Sequence, residues 1–293
     1  MSADASGLTT GELEALTAAT RRAFSETSDP AAYVARPATE ATLGEVGAWL
    51  AESGGTAALG AIIASPGFGK TLLLRVVEAR LNAEGLASGT VAARPKALYL
   101  PYAGLGPTDL AIWVHGLLGR ARPALEGDGD AIAALGRLGD GVDAPFTLLL
   151  DDADSMPAET IEALVTGIEA GAAPIRLLLA LSPDSKGSRL LAALHALSPR
   201  EFRYRDRLSP EETGAYVRAR MRWAGFPDAI VDRVDHDEAQ RIHALSNGVP
   251  RAIHAIAADL FETSAAFGGA EALGAKRARE DWMGRPIEDD LDL

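Results

Sequence analysis

The chain predicts a doubly wound α/β domain followed by a smaller all-helical one, and three observations carry that prediction. Short apolar runs alternate with longer segments of helical period as far as Arg207. The runs are continuously apolar rather than alternating, as strands buried on both faces of a parallel sheet require. From Ser209 onward the helical period persists and the strand-like runs stop.

Taken in order, Leu13 to Phe24 suits a short helix, and Ser28-Asp29-Pro30-Ala31-Ala32-Tyr33 is a turn signal leading to an aromatic residue. Thr42 to Ala51 sets Leu43, Val46, Trp49 and Leu50 on one helical face and stops at Gly54-Gly55. Ala57 to Ile63 is an apolar run; a Gly-rich loop follows it, and then a helix carrying Leu72, Leu73, Leu74, Val76, Val77 and Leu81 to about Asn82. Ala97 to Leu100 is the next strand, between Pro95 and Pro101. Thr108 is read as the cap of a helix carrying Leu110, Ile112, Trp113, Val114, Leu117 and Leu118. Gly127 to Gly141 is a loop-rich insert holding one small helix.

Phe146 to Leu150 is a strand stopping at Asp151-Asp152, Pro157 starts the helix Ala158 to Ala170, and Ile175 to Leu181 is a further strand ending at Ser182-Pro183. Ser209-Pro210-Glu211-Glu212 is a capping box with Pro at the first helical position, opening a helix that ends at Gly225. Ala229 to Val234, Asp237 to Leu245 and Val249 to Phe261 complete the helical part. Domain bounds follow: residues 1–40 an N-terminal segment, 41–207 the α/β core, 208–268 the helical lid, and 269–293 a flexible acidic tail around Trp282.

Composition narrows the class. At 293 residues the chain can bury a sizeable core, and with no cysteine it has no disulfide, thiolate ligand or thiol nucleophile. No apolar run is long enough to span a bilayer and Met1-Ser2-Ala3-Asp4 does not begin a signal peptide, so a cytoplasmic location is expected. A formal charge of −13 disfavours a protein coated by nucleic acid, although a local basic patch is compatible with it. The histidines His115, His195, His236, His243 and His254 show no metal-ligand spacing and are read as structural or solvated.

The chemistry centres on Ala64-Ser65-Pro66-Gly67-Phe68-Gly69-Lys70-Thr71. Strand, tight loop, Lys-Thr and helix form the context a phosphate-binding loop requires. Ser65, Pro66, Gly67, Phe68, Gly69, Lys70, Thr71 and Leu72 would surround an anion at a helix N-terminus, all but Pro66 with a backbone N–H to offer. Lys70 would reach the β- and γ-phosphates of ATP, and the Thr71 hydroxyl would bind Mg²⁺. Ala64 departs from the pattern, which has Gly there, so an altered loop geometry is expected. The second element is a carboxylate at the end of a buried neighbouring strand: Asp151 for the magnesium ion, with Asp152 to orient or deprotonate the attacking water.

These motifs, with a polar strand end and a helical lid, resemble the AAA+ ATPases. The family's acidic pair is most often Asp-Glu; Asp151-Asp152 is similar to the pair in the replication initiator DnaA and the transposition helper IstB. The resemblance implies that Ser182 is the polar sensor after the strand following the acidic pair, its other reading being a turn-starting Ser before Pro183. It also implies that Arg251, in Leu245-Ser246-Asn247-Gly248-Val249-Pro250-Arg251, is the lid arginine that reaches the γ-phosphate.

The run Leu208 to Arg220 followed by Ala224-Gly225, and the segment from Phe24 through Asp29-Pro30 to Tyr33, resemble the ExeA/GspA-like secretion ATPases, relatives of the TniB/MuB-type transposition ATPases. Such proteins work as rings or filaments in which one subunit's arginine completes the neighbour's site. Arg200 is the candidate, with Arg189 and Arg203 as alternatives. The cluster Arg200, Arg203, Tyr204, Arg205, Arg207 also suits an exposed strand making salt bridges, and Arg218 with Arg222 shares a helix face; either cluster is compatible with a nucleic-acid patch. The resemblance implies an ATP hydrolase that uses Mg-ATP to assemble on or remodel a protein partner. A DNA-dependent transposition helper and an ATP-held scaffold that does not hydrolyse are the alternatives.

Overall fold

The computed structural model describes residues 10–52, 59–87, 96–101, 104–136, 146–170, 175–205 and 207–266. The helix stop expected at Gly54-Gly55, the end of the insert at Gly141, and the tail 269–293 lie outside them. The chain divides into two compact units, one made of Thr27–Arg207 with Val249–Arg251, the other of Met1–Glu26, Leu208–Gly248 and Ala252–Leu293. The expected N-terminal segment 1–40 is therefore shared out, its part up to Glu26 going with the helical unit.

The α/β unit is built on a parallel sheet of five described strands in the order β2-β3-β4-β1-β5. These are β1 (Leu59–Ile63), β2 (Ala97–Leu100), β3 (Phe146–Leu150), β4 (Ile175–Leu181) and β5 (Arg200–Arg203). The helices between them are α2 (Pro37–Ala51), α3 (Lys70–Ala87), α4 (Pro107–Leu117), α5 (Asp128–Gly136), α6 (Ala158–Ala170) and α7 (Ser185–Ala193), all following α1 (Thr10–Phe24) in the chain. Side chains alternate across the pleat, so each central strand feeds two cores. Ala61, Leu148, Leu150, Leu177 and Leu179 pack with Leu110, Leu135, Ile161 and Leu190 from α4 to α7. Ile62, Leu149, Leu178, Ala180 and Phe202 pack with Val46, Trp49, Leu74 and Val77 from α2 and α3. Helices thus cover both faces, which is why β1, β3 and β4 are buried along their length and apolar but for Thr147 and Arg176.

One buried cation is part of this packing. Arg176 on β4 is 7% exposed; its guanidinium donates to the carbonyls of Trp49 and Glu52 and lies 5.1 Å from the Trp49 ring. It satisfies the last carbonyls of α2, at the negative end of the helix dipole.

Several boundaries differ from expectation. The helix assigned to Thr108 has Gly106 as its N-cap and Pro107 in its first turn, so Thr108 lies inside it. α2 begins at Pro37, and α3 continues past Asn82, whose side chain bonds the backbone of Lys96 and Ala97. β5 is a true edge strand, with Phe202 buried and Arg200, Glu201 and Arg203 exposed; charged side chains of this kind protect an open sheet edge from pairing with other chains.

The helical unit contains α1, α8 (Pro210–Ala224), α9 (Asp228–Val231), α10 (His236–Ser246) and most of α11 (Pro250–Ala266). Ser209 caps α8: its hydroxyl accepts from Glu212 N at 3.2 Å, and the Glu212 carboxylate accepts from Ser209 N at 2.9 Å. Gly225, at φ 92°, ends the helix. Phe24 stacks on Phe261 at 5.7 Å, and Phe226 lies 5.9 Å from the same ring. Arg220, 1% exposed, donates from Nε to the Ala23 carbonyl at 2.8 Å and so closes the end of α1.

Candidate functional site

The phosphate loop sits at the carboxyl end of β1. Ala64 N still bonds Leu181 O at 3.2 Å, extending the ladder to β4, and Phe68 N closes a turn on Ser65 O at 3.3 Å. Gly67 and Gly69 have φ of 84° and 85°, a region open to glycine and costly for most other residues. At Gly67 a Cβ would also lie 3.0 Å from Arg251 Cβ. Leu73 N bonds Gly69 O at 3.0 Å as the first helical link. The N–H groups of Lys70, Thr71 and Leu72 therefore come before any intrahelical carbonyl partner, the arrangement that makes a helix N-terminus attract anions.

Ala64 is explained by what it touches. It is 1% exposed and forms an apolar cluster with Phe68 and Tyr204, against which Ala38 and Val249 pack. Phe68 meets Tyr204 edge to face at 6.0 Å, and the Tyr204 hydroxyl accepts a hydrogen bond from the Arg36 guanidinium. A methyl group in place of hydrogen thus helps to seat the loop on the aromatic pair, a packing that nothing in the local motif announces.

Lys70 folds back over the loop. Its Nζ donates to Ala64 O at 2.8 Å and to Ser182 Oγ at 3.3 Å. Burial lowers its pKa, opposed by the carboxylates of Asp154, Asp151 and Asp152. Ser182, at the end of β4 and 8% exposed, is thus beside the lysine.

Asp151 ends β3 and is buried at 4% exposure. Its Oδ2 accepts from the Tyr99 hydroxyl at 2.8 Å, and its N bonds Leu100 O at 3.0 Å. Burial, then this hydrogen bond, pushes the Tyr99 pKa upward, so the phenol remains the donor and fixes the carboxylate. Among the described residues no group of three His, Cys, Asp or Glu is placed to hold a metal ion. One carboxylate and one hydroxyl, Asp151 and Thr71, fit Mg²⁺, which keeps waters and takes phosphate oxygens. Asp152 is exposed at φ 48° and ψ 37°, a left-handed conformation that Asp tolerates better than most residues. Sharply turned out of the strand, it presents its carboxylate to solvent.

Arg251 donates its backbone N–H to Gly67 O at 3.2 Å, so this arginine stands at the loop. Arg200 does not: it pairs in register with Gly60, three positions before Ile63, at the opposite end of the strand. Arg203 pairs with Ile63 and bonds Glu201 at 2.6 Å; Arg189 bonds Ser185 O at 2.9 Å. The Arg218–Arg222 face is occupied internally, Arg218 by Val234 O at 2.7 Å and Arg222 by Asp228 and Asp232 at 3.6 and 3.8 Å. Two residues absent from the sequence reading belong to the site. Tyr99 holds Asp151, and Asp154 accepts the Ser182 N–H on both its oxygens, at 3.1 and 3.0 Å. Only the acidic run after β3 hinted at Asp154.

Comparison with known proteins agrees with this fold. Residues 53–186 match the family model described as "AAA domain". A search of curated proteins by sequence returned no match. Among solved structures, the ORC2 protein of Aeropyrum pernix in ADPNP-ADP complexes is similar with a TM-score of 0.62 and 19% identity, over 89% of this chain and 71% of that one. Drosophila ORC bound to DNA gives 0.60 and 17%, over 95% and 68%. Cdc6p from Pyrobaculum aerophilum gives 0.55 and 17%, over 84% and 65%. No helix among the described residues is long and apolar enough to cross a membrane. The fold is that of the AAA+ P-loop proteins, and the match of residues 53–186 to the AAA domain model lies within it.

Proposed function

We propose that this chain is an ATP hydrolase that binds Mg-ATP on residues 65–72 and works as a ring or filament on a protein partner, in the manner of the ExeA-like ATPases. The observation that carries this reading is the convergence of Lys70 and Ser182, 3.3 Å apart, at the carboxyl ends of β1 and β4, beside the strand that ends in the buried Asp151. Lys70 is already desolvated and gains phosphate oxygens in exchange for the Ala64 carbonyl. A magnesium ion would supply charge neutralisation to the phosphates, held by Thr71 and Asp151 with waters. Asp152, turned out of its strand, orients or deprotonates the attacking water. Ser182 and Arg251 sense the γ-phosphate, and Arg200, on an exposed strand remote from its own loop, is the candidate to complete a neighbour's site.

The test is calorimetry on wild type and Lys70→Ala, with turnover measured across protein concentration. Loss of ATP binding in the variant and a rate per subunit that rises with concentration are expected. Retained affinity in the variant removes the loop assignment.

A second reading, a DNA-dependent ATPase of the transposition-helper type, is favoured by one observation: similar structures include the ORC1 protein of Aeropyrum pernix in complex with DNA and Drosophila ORC bound to DNA. Turnover stimulated by DNA, with affinity falling steeply as salt rises, selects it. Tight ATP binding without turnover selects the scaffold.

A further inference from the structure

The least expected group near the phosphate loop is Asp154, in the 3₁₀ turn Ala153–Ser155 that follows β3. Both its carboxylate oxygens accept the single N–H of Ser182, at 3.1 and 3.0 Å. A neutral acceptor would be enough to satisfy one amide; a half-buried carboxylate costs desolvation and raises its own pKa. Of the carboxylates acting on Lys70, it is also the strongest.

The packing around it leaves no slack. A Cβ on Gly187 in α7 would lie 1.9 Å from Ser182 O and 2.7 Å from Asp154 Oδ1. The α7 backbone at Gly187 therefore lies against both the Ser182 carbonyl and the Asp154 carboxylate. Asp184 ties that helix end down by accepting from Lys186 N and Gly187 N at 2.9 and 3.0 Å. Ser182 is thus held at its N–H by a carboxylate and at its carbonyl by a helix backbone, with its hydroxyl 3.3 Å from Lys70 Nζ.

We propose that Asp154 is a positioning residue of the nucleotide site, clamping the Ser182 peptide so that the Ser182 hydroxyl is aimed at the phosphate end of the loop. It touches no phosphate itself and acts through Ser182. The inference rests on the reading of this loop as an ATP site, and it places a link of the catalytic apparatus in the turn after the acidic pair.

The experiment uses the full chain as wild type, Asp154→Asn, Ser182→Ala and the double variant, with ATP affinity by calorimetry and turnover at saturating ATP. Asn keeps one acceptor for the Ser182 N–H and loses the charge and the second oxygen. Turnover of Asp154→Asn is expected to fall about tenfold or more with the dissociation constant for ATP within about threefold of wild type, the signature of an interaction made in the reaction rather than in binding. The double variant is expected to turn over at the rate of Ser182→Ala alone, because residues acting in series do not add.

Gly187→Ala attacks the same clamp at its contact with α7, where a Cβ would meet both the Ser182 carbonyl and the Asp154 carboxylate, and is expected to show the same split between rate and affinity. Equal losses in both quantities, additive losses in the double variant, or a wild-type rate in Asp154→Asn overturn the inference while leaving the ATPase reading in place. A wild type that binds no ATP, or binds it without turnover, overturns both.

Discussion

His254 gives the helical unit a stability that depends on pH. Its ring stacks on Tyr216 at 5.7 Å, its Nε2 is 2.8 Å from the Tyr216 hydroxyl, and Phe24 lies edge-on at 6.2 Å. Burial first, and the Arg220 guanidinium second, lower its pKa from 6.5 to about 4. The folded chain therefore keeps this ring neutral while the unfolded chain takes up a proton, so stability present above pH 6.5 is lost as pH falls towards 4. At about 1.4 kcal/mol per pKa unit the full loss is about 3 kcal/mol, of which about 2 kcal/mol falls between pH 7 and pH 5.

Urea unfolding of wild type and His254→Gln at those two pH values measures it, followed by fluorescence of Trp223 in the same unit. The variant lacks the titrating group and is expected to lose about 2 kcal/mol less between pH 7 and pH 5. Contributions common to both proteins cancel in the difference. Equal losses in the two proteins would refute the assignment of a neutral, buried His254.

Asp152→Asn is expected to bind ATP as wild type does and to lower turnover by about a hundredfold or more, the scale of a lost general base; unchanged turnover in a phosphate-release assay shows that another group positions the water. Arg251→Ala keeps the backbone bond to Gly67 and removes the guanidinium, so ATP affinity is expected to drop about tenfold with little change for ADP. Equal losses for both nucleotides in calorimetry remove the γ-phosphate role. Ser209→Ala deletes the α8 cap and is expected to cost about 1 kcal/mol in urea unfolding with no effect on ATP affinity.

Three strands of the sheet, β2, β3 and β4, match their expected runs residue for residue, because a strand covered on both faces is apolar along most of its length, Thr147 and Arg176 being the exceptions in β3 and β4. The Gly-rich loop with Lys70 and Thr71, and Asp151 after β3, stand out in the sequence as a motif, since backbone closeness to an anion demands glycine and the cation and carboxylate follow at fixed positions; their role with nucleotide is the proposal above. β5 was harder to see. With Phe202 alone buried, Arg-Glu-Phe-Arg shows no period, and its pairing with β1 is a contact between distant parts of the chain. Thr108 misled because a local cap signal competed with Pro107, whose fixed φ already suits the first turn.

The sequence alone thus determined β1 to β4 and the helices between them, the Gly-rich loop after β1 and the carboxylates after β3, all set by short-range rules of periodicity, turn chemistry and spacing. Tertiary structure alone decided which groups meet: Asp154 with Ser182, Tyr99 with Asp151, Ala64 with Tyr204, and Arg220 with the Ala23 carbonyl. Each joins residues whose separation carries no periodic signal. Each arises because a buried polar group must find a partner, and a buried methyl must find a surface, wherever the packed helices and strands bring one within reach.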